Sequence, residues 1–182
     1  MDLKSKIILI SGPTASGKTK FALKLAKKIN GEIINADSMQ IYKELKILTA
    51  RPLKADQRNI KHHLYGFRSV KKKFSTGLWL KLASNQIKII QKKNKIPILV
   101  GGTGLYFKAL TNGLVKIPNI PQSFRNKIRL YQKKLGQKKF YQKLIKIDST
   151  SKNKINANDV QRSIRAYEIK KYTKKSLFEW FN

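Results

Sequence analysis

Short apolar runs alternate with helix-spaced polar stretches along the first 110 residues. Lys6–Ile10 is apolar and runs into Ser11-Gly12-Pro13, which predicts a buried strand followed by a turn. From Thr19 to Ile29, apolar residues fall at Phe21, Ala22, Leu25, Ala26 and Ile29, one face of a helix. Asn30-Gly31 stops it. Glu32–Ala36 reads as a second strand. Trp79, Leu82, Ala83, Ile87 and Ile90 mark another helix, broken by the polar stretch Lys92–Lys95. Ile96–Val100, closed by Gly101-Gly102, is a third strand, and Leu105 to Leu110 a further helix. Strands alternating with helices predict right-handed βαβ units and a parallel sheet.

The pattern changes near Gly113, and Pro118 and Pro121 bracket a linker-like stretch. Beyond it only helical spacing is found: Phe124, Ile128, Tyr131 and Leu135; Phe140, Leu144 and Ile147; Val160, Ile164, Tyr167 and Lys171. The chain therefore divides into an α/β part, residues 1–115, and an all-helical part, residues 116–182. Ser176-Leu177-Phe178-Glu179 has the form of a capping box opening one more helix.

Composition narrows the function classes. The 182 residues carry 41 Lys and Arg against 9 Asp and Glu, a formal charge of +32. Such a charge points to a polyanion: nucleic acid, a membrane surface or a phosphorylated substrate. A plainer source stands beside it. Lysine supplies 34 of the basic residues, and there are 22 Ile and 12 Asn, all with A/T-rich codons. Coding bias would raise all three without any functional cause, but it does not explain the scarcity of Glu. The first 110 residues carry net +18 and the last 72 net +14, so the helical part is slightly denser in charge. Cysteine is absent, which excludes disulfides, thiolate metal sites and cysteine nucleophiles. No apolar run reaches the roughly 18 residues of a membrane span. The start, Met1-Asp2-Leu3-Lys4, has no charged leader with a cleavage site, so a cytoplasmic protein is expected.

Gly12-Pro13-Thr14-Ala15-Ser16-Gly17-Lys18-Thr19 fits G-x-x-x-x-G-K-[ST], between a predicted strand and a predicted helix. Glycines let the backbone curl so that successive N–H groups face phosphate oxygens, and the helix N-terminus adds positive potential. Lys18 supplies a cation and Thr19 a hydroxyl for Mg²⁺. The motif alone says that a di- or triphosphate is bound. Phosphoryl-transfer enzymes of this kind hold Mg²⁺ through an Asp at the end of a later strand. Here the strand Ile96–Val100 ends in Gly101-Gly102-Thr103-Gly104, without a carboxylate. The strand that does lead into an acid is Glu32–Ala36, giving Asp37 at the sheet edge where such folds bind ligand. The plainer reading of Asp37 is a cap on the turn that follows.

Four segments together resemble the tRNA dimethylallyltransferases, or adenosine isopentenyltransferases. They are the loop Gly12–Thr19; Ala36-Asp37-Ser38-Met39-Gln40-Ile41-Tyr42; Ile98-Leu99-Val100-Gly101-Gly102-Thr103-Gly104-Leu105-Tyr106; and Asn158-Asp159-Val160-Gln161-Arg162-Ser163-Ile164-Arg165-Ala166-Tyr167-Glu168. Thr49-Ala50-Arg51-Pro52 and His62-His63-Leu64 are weaker matches between them. The resemblance implies a P-loop NTPase-like parallel sheet flanked by helices, with an inserted all-helical tRNA-binding domain. It implies transfer of a dimethylallyl group from dimethylallyl diphosphate to N6 of the adenosine just 3′ of the anticodon, with Mg²⁺ as cofactor. Asp37 and Thr103 would sit at the reacting centre, Asp37 as general base. The loop Gly12–Thr19 would take the diphosphate. Ser38, Met39 and Gln40, with Asp37 and Thr103, would meet the extruded base and its neighbours, and Arg125, Gln161, Arg162 and Arg165 would grip the anticodon stem-loop. The partners implied are that stem-loop and the prenyl diphosphate, with no membrane and a monomeric enzyme. His62 and His63 are expected to be structural.

The sequence departs from the family pattern at Leu48, where Gly is usual, near Lys46, and around Thr173–Ser176. Family members continue well beyond Glu179-Trp180, so the chain reads as truncated at its C-terminus, without the return to the α/β core. Two other classes stay open: a small-molecule P-loop kinase, and an inactive truncated RNA-binding fragment.

Overall fold

The computed structural model describes residues 6–52 and 60–181; Met1–Lys4 lie outside them. The chain falls into two units, one ending at Leu114 and one running from Val115.

The first unit is built on four parallel strands: β1 (Ile8–Ser11), β2 (Gly31–Asn35), β3 (His62–His63) and β4 (Ile96–Gly101), in the order β1-β4-β2-β3. Around them run α1 (Lys18–Lys28), α2 (Thr76–Lys92) and α3 (Gly104–Asn112). The two central strands, β2 and β4, are buried at every position. That explains their near-continuous apolar sequences, since both faces are covered by helices. Alternation along them separates two cores. Ile33, Ile98 and Val100 pack with Ala22 and Ala26 of α1. Ile34 and Leu99 face the other way, toward Trp79, Ala83, Ile87 and Ile90 of α2 and Tyr106 of α3. Ser75 caps α2 by accepting the N–H of Leu78 at 3.2 Å.

The ends of the expected strands differ slightly from those observed, Ile8–Ser11 and Gly31–Asn35. Lys6 and Ile7 precede β1, because its ladder with β4 begins at the Ile8–Ile98 pair. Ala36 lies just past β2, although its N–H still reaches the carbonyl of Val100 at 2.8 Å. β3 has no counterpart among the expected strands. Its two histidines carry no apolar signal, and pairing with Ile33 and Ile34 defines it.

The second unit packs α4 (Gln122–Leu135), α5 (Gln137–Ile147) and α6 (Val160–Thr173). Phe140, Leu144, Ile155, Ile164, Ala166 and Tyr167 form its core. Gly136, at φ 74°, lets α4 end and α5 begin within one residue. Buried Asp148 ties the end of this unit together. It accepts hydroxyl hydrogen bonds from Thr150, from Ser151 at 2.8 Å and from Ser176 at 2.9 Å. The Ser176–Glu179 capping box forms as expected, but it opens a single 3₁₀ turn, Leu177–Trp180, rather than a full helix.

Candidate functional site

The loop after β1 curls as its sequence requires. Ala15 and Gly17 both take positive φ, 64° and 77°. α1 then starts without a side-chain cap and without an acid in its first turn. Its leading N–H groups are thus open to an anion. Lys18 Nζ reaches back across the loop to donate to the carbonyl of Pro13 at 2.8 Å.

Asp37 follows β2 at the same edge of the sheet. Its Oδ1 accepts the N–H groups of Met39 at 2.8 Å and Gln40 at 3.4 Å. The turn-capping reading of Asp37 is therefore realised, yet it uses only Oδ1. The backbone around it is held from two sides. Ser38 N–H donates to Thr103 Oγ1 at 2.9 Å, and Thr103 N–H donates to the carbonyl of Ala36 at 3.2 Å. Thr103 sits between β4 and α3, so the adjacency of β2 and β4 sets this contact. Gly101 is obligatory there. A Cβ on it would lie 2.1 Å from Ala36 C and O and 2.6 Å from Asp37 N.

Thr14, Ala15, Lys18, Thr19, Asp37, Gln40, Thr49, Ala50, Tyr65, Val100 and Gly101 line one cavity of about 80 Å³. The phosphate-type loop and the carboxylate thus share a single concavity. Gln40 Nε2 donates to the carbonyl of Thr49 at 2.9 Å, fixing that wall. Burial, with the charge of Asp37, holds the Tyr65 hydroxyl above its ordinary pKa. Burial, with Tyr42 and Asp37, pushes the Tyr106 hydroxyl up to about 12. Both phenols therefore stay neutral near Asp37 across the physiological range. A larger concavity, about 760 Å³, runs beside α1 and is lined by Lys20, Lys24, Lys27, Lys61 and Lys95 among others. Of the candidate residues it includes only Thr19, and none of its described lining residues is a carboxylate.

Met39 is exposed, and His62 and His63 lie elsewhere in the fold. His63 Nε2 donates to Glu32 Oε2 at 2.8 Å, and Lys95 Nζ lies 3.0 Å from Glu32 Oε1. Burial raises the Glu32 carboxyl, but these two partners outweigh it and hold it below its ordinary value. His62 donates Nδ1–H to the carbonyl of Ile60 at 2.8 Å, and burial lowers its pKa.

The other candidates lie in the second unit. Asp159 caps α6 through the N–H of Arg162 at 2.9 Å. Gln161 and Arg162 are exposed, and Arg162 Nε stands 3.4 Å from Asp159 Oδ2. Arg165 is half-buried, its Nη1 3.6 Å from the buried Glu168. Burial, with the neighbouring charge of Arg125, lowers the Arg165 pKa, while Glu168 opposes that. Arg129 Nε approaches Glu168 at 3.9 Å. Two arginines, Arg129 and Arg165, thus flank one buried carboxylate, and the charge of Arg125 bears on Arg165. Arg129 and Glu168 were not among the sequence candidates, although Glu168 stands three residues after Arg165 on the same helix face.

These features define a class: an α/β protein on a P-loop NTPase-like parallel sheet, with an acid beside the loop. Residues 40–182 match the family model described as IPP transferase. The chain belongs to that family. It is 70% identical to the tRNA dimethylallyltransferase of Pelagibacter ubique (strain HTCC1062), over 99% of this chain and 58% of that protein. It is 48% identical to the enzyme of the same name from Rickettsia massiliae (strain Mtu5), over 97% of this chain and 49% of that protein. Among solved structures it superposes on a eukaryotic dimethylallyltransferase acting on tRNA with a TM-score of 0.82 and 32% identity, covering 97% of this chain and 44% of that one. The full-length tRNA isopentenylpyrophosphate transferase of Bacillus halodurans matches with a TM-score of 0.61 and 36% identity, over 94% of this chain and 57% of that one. The chain thus spans about half the length of the relatives it matches. Among the described residues no helix is long and apolar enough to cross a membrane.

Proposed function

We propose that the chain carries the diphosphate- and adenosine-handling part of a tRNA dimethylallyltransferase. The observation that carries this reading is the shared concavity, with Lys18, Thr19 and Asp37 on its walls. The loop amides, Lys18 and Thr19 take the diphosphate of dimethylallyl diphosphate. Asp37 faces the exocyclic N6 of the target adenosine, extruded from the anticodon loop because a stacked amine is out of reach. The N6 lone pair forms a bond to C1 of the dimethylallyl group. The C1–O bond breaks, and its electron pair leaves on diphosphate. Asp37 accepts the N6 proton. Lys18 and the loop N–H groups meet the charge that grows on the leaving group, in a geometry set before reaction. Thr103 donates its hydroxyl hydrogen toward the diphosphate while its oxygen holds Ser38 N–H. Ser38, Met39 and Gln40 border the extruded base. Arg125, Gln161, Arg162 and Arg165 bind the anticodon stem-loop.

The donor set fits Mg²⁺ only as a phosphate-bound ion. Among the described residues no group of three His, Cys, Asp or Glu gathers, and Thr19 offers one hydroxyl. When bound, the ion neutralises charge on the diphosphate. The sheet end where a kinase would carry its Mg²⁺-holding acid is Gly101-Gly102, which favours prenyl over phosphoryl transfer. A monomeric, cytoplasmic enzyme suits this substrate. The test is incubation with dimethylallyl diphosphate, Mg²⁺ and tRNA bearing adenosine 3′ of the anticodon. A dimethylallyl mass gain on that base, with one diphosphate released per transfer, supports the proposal. RNA-independent turnover of ATP with a small alcohol, and no gain on tRNA, overturns it.

A further inference from the structure

Asn35 ends β2 and is fully buried. Its side-chain amide is spent on the backbone just beyond the strand. Oδ1 accepts the N–H of Asp37 at 2.9 Å. Nδ2 donates to the carbonyl of Asp37 at 2.9 Å and to that of Leu64 at 3.1 Å. One side chain therefore grips both ends of the Asp37 residue and ties it to Leu64, 29 positions after Asn35. The amide orientation follows from the partners: an N–H can only donate and the two carbonyls can only accept. Asp at this position would lose the donor, and Leu would lose both functions at the same size. Asn35 is itself anchored from behind, since Trp79 Nε1–H donates to its backbone carbonyl at 2.9 Å. Trp79 in turn stacks on Tyr106 with ring centroids 4.2 Å apart.

We propose that Asn35 is the positioning residue of Asp37, fixing the carboxylate's height and direction over the loop pocket. The assignment rests on the reading of Asp37 as the base for adenosine N6. Asn35 touches no reacting atom in this account. It works by removing the freedom of the Ala36–Asp37 and Asp37–Ser38 peptides, which otherwise form a turn at the open edge of the sheet. Ser38 N–H on Thr103 and the two N–H groups on Asp37 Oδ1 complete the clamp. A misplacement of about 1 Å in such a group costs on the order of 10²-fold in rate.

The test begins with Asn35→Ala, read by hydrogen exchange. The amide of Asp37 loses its acceptor and should exchange at least about tenfold faster. The indole N–H of Trp79 and the amide of Ile33, bonded to the carbonyl of Lys61 at 2.9 Å, do not depend on the Asn35 side chain and should stay within about twofold. Unchanged exchange at Asp37, or equal acceleration at all three, overturns the proposal. The same variant should lower single-turnover prenyl transfer about 10- to 100-fold with the KM for the prenyl diphosphate unchanged. Asn35→Asp keeps size and acceptor but loses the donor. Its transfer rate relative to the native chain should recover as pH falls and the carboxyl regains a proton to donate; a flat ratio overturns the proposal. Asp37→Ala, run alongside, separates the two ideas. If it leaves transfer intact, the base assignment fails, while the exchange pattern still decides whether Asn35 holds Asp37.

Discussion

Thr103 Oγ1 accepts the backbone N–H of Ser38 at 2.9 Å, joining residues 65 positions apart in the chain. The bond stitches the turn after β2 to the start of α3, so that Asp37 and Thr103 belong to one unit. Thr103→Val keeps the shape and removes the acceptor. Leaving a half-buried N–H unpaired costs about 1–3 kcal/mol. The expected outcome is a lower denaturation midpoint and a single-turnover transfer rate reduced at least about tenfold. Thr103→Ser, which restores the oxygen, should recover most of both.

Gly101→Ala tests the closeness of β4 to the Asp37 turn. The added Cβ would meet backbone, not a flexible side chain, at 2.1 Å from Ala36. Neither chain can yield without disturbing the β2–β4 ladder, which pairs Asn35 with Val100. Overpacking of this kind costs about 1–3 kcal/mol or more. Urea denaturation should show that loss, while the equivalent change at Gly104, where nothing lies within 4 Å, should be mild.

Arg162 and Arg165 should respond differently to removal. Arg162 is exposed and, among the described residues, pairs only with Asp159, the cap of its own helix. Arg162→Ala should leave the melting temperature nearly unchanged. It should reduce the magnitude of the log K against log salt slope for an anticodon stem-loop by about 0.7–0.9. Arg165→Ala leaves buried Glu168 with Arg129 at 3.9 Å as its remaining pair. It should lower stability by about 1–3 kcal/mol as well as weaken binding. Equal melting temperatures for the two variants would contradict this division.

Asp148 predicts an acid limb in the stability of the helical unit. Burial raises its carboxyl, but the hydroxyls of Thr150, Ser151 and Ser176 more than offset this and hold its pKa below the ordinary value. A depressed folded pKa stabilises above the unfolded carboxylate range, near about 4. That contribution is lost as pH falls through the folded value. Asp148→Asn should therefore melt below the native chain at pH 7, with the gap closing as pH is lowered toward 3. A gap independent of pH would contradict it.

The main strands and helices were legible because burial on both faces leaves continuous apolar runs, as in Ile96–Val100, and burial on one face leaves helical spacing, as in Thr19–Ile29. β3 was not, because two histidines become a strand only by pairing with β2 and by the bond from His63 to Glu32. The loop and Asp37 stood out from the local sequence, Gln40 and Thr103 only through the family resemblance; the loop, Asp37 and Gln40 line one concavity, and Thr103 bonds Ser38 beside it. Asn35 did not stand out. A polar residue at a strand end reads as the strand's edge, and its partners Leu64 and Trp79 stand 29 and 44 positions away. The same holds for Tyr65, which reaches the pocket wall from a segment with no local mark.

The most direct measurement compares the native chain with Asp37→Ala for single-turnover dimethylallyl transfer to tRNA, with tRNA affinity measured on the same samples. Transfer should fall at least about 10²-fold, the usual worth of a positioned general base, with affinity nearly unchanged. Transfer that survives the substitution, or a loss explained wholly by weaker tRNA binding, would contradict the assignment of Asp37 as that base.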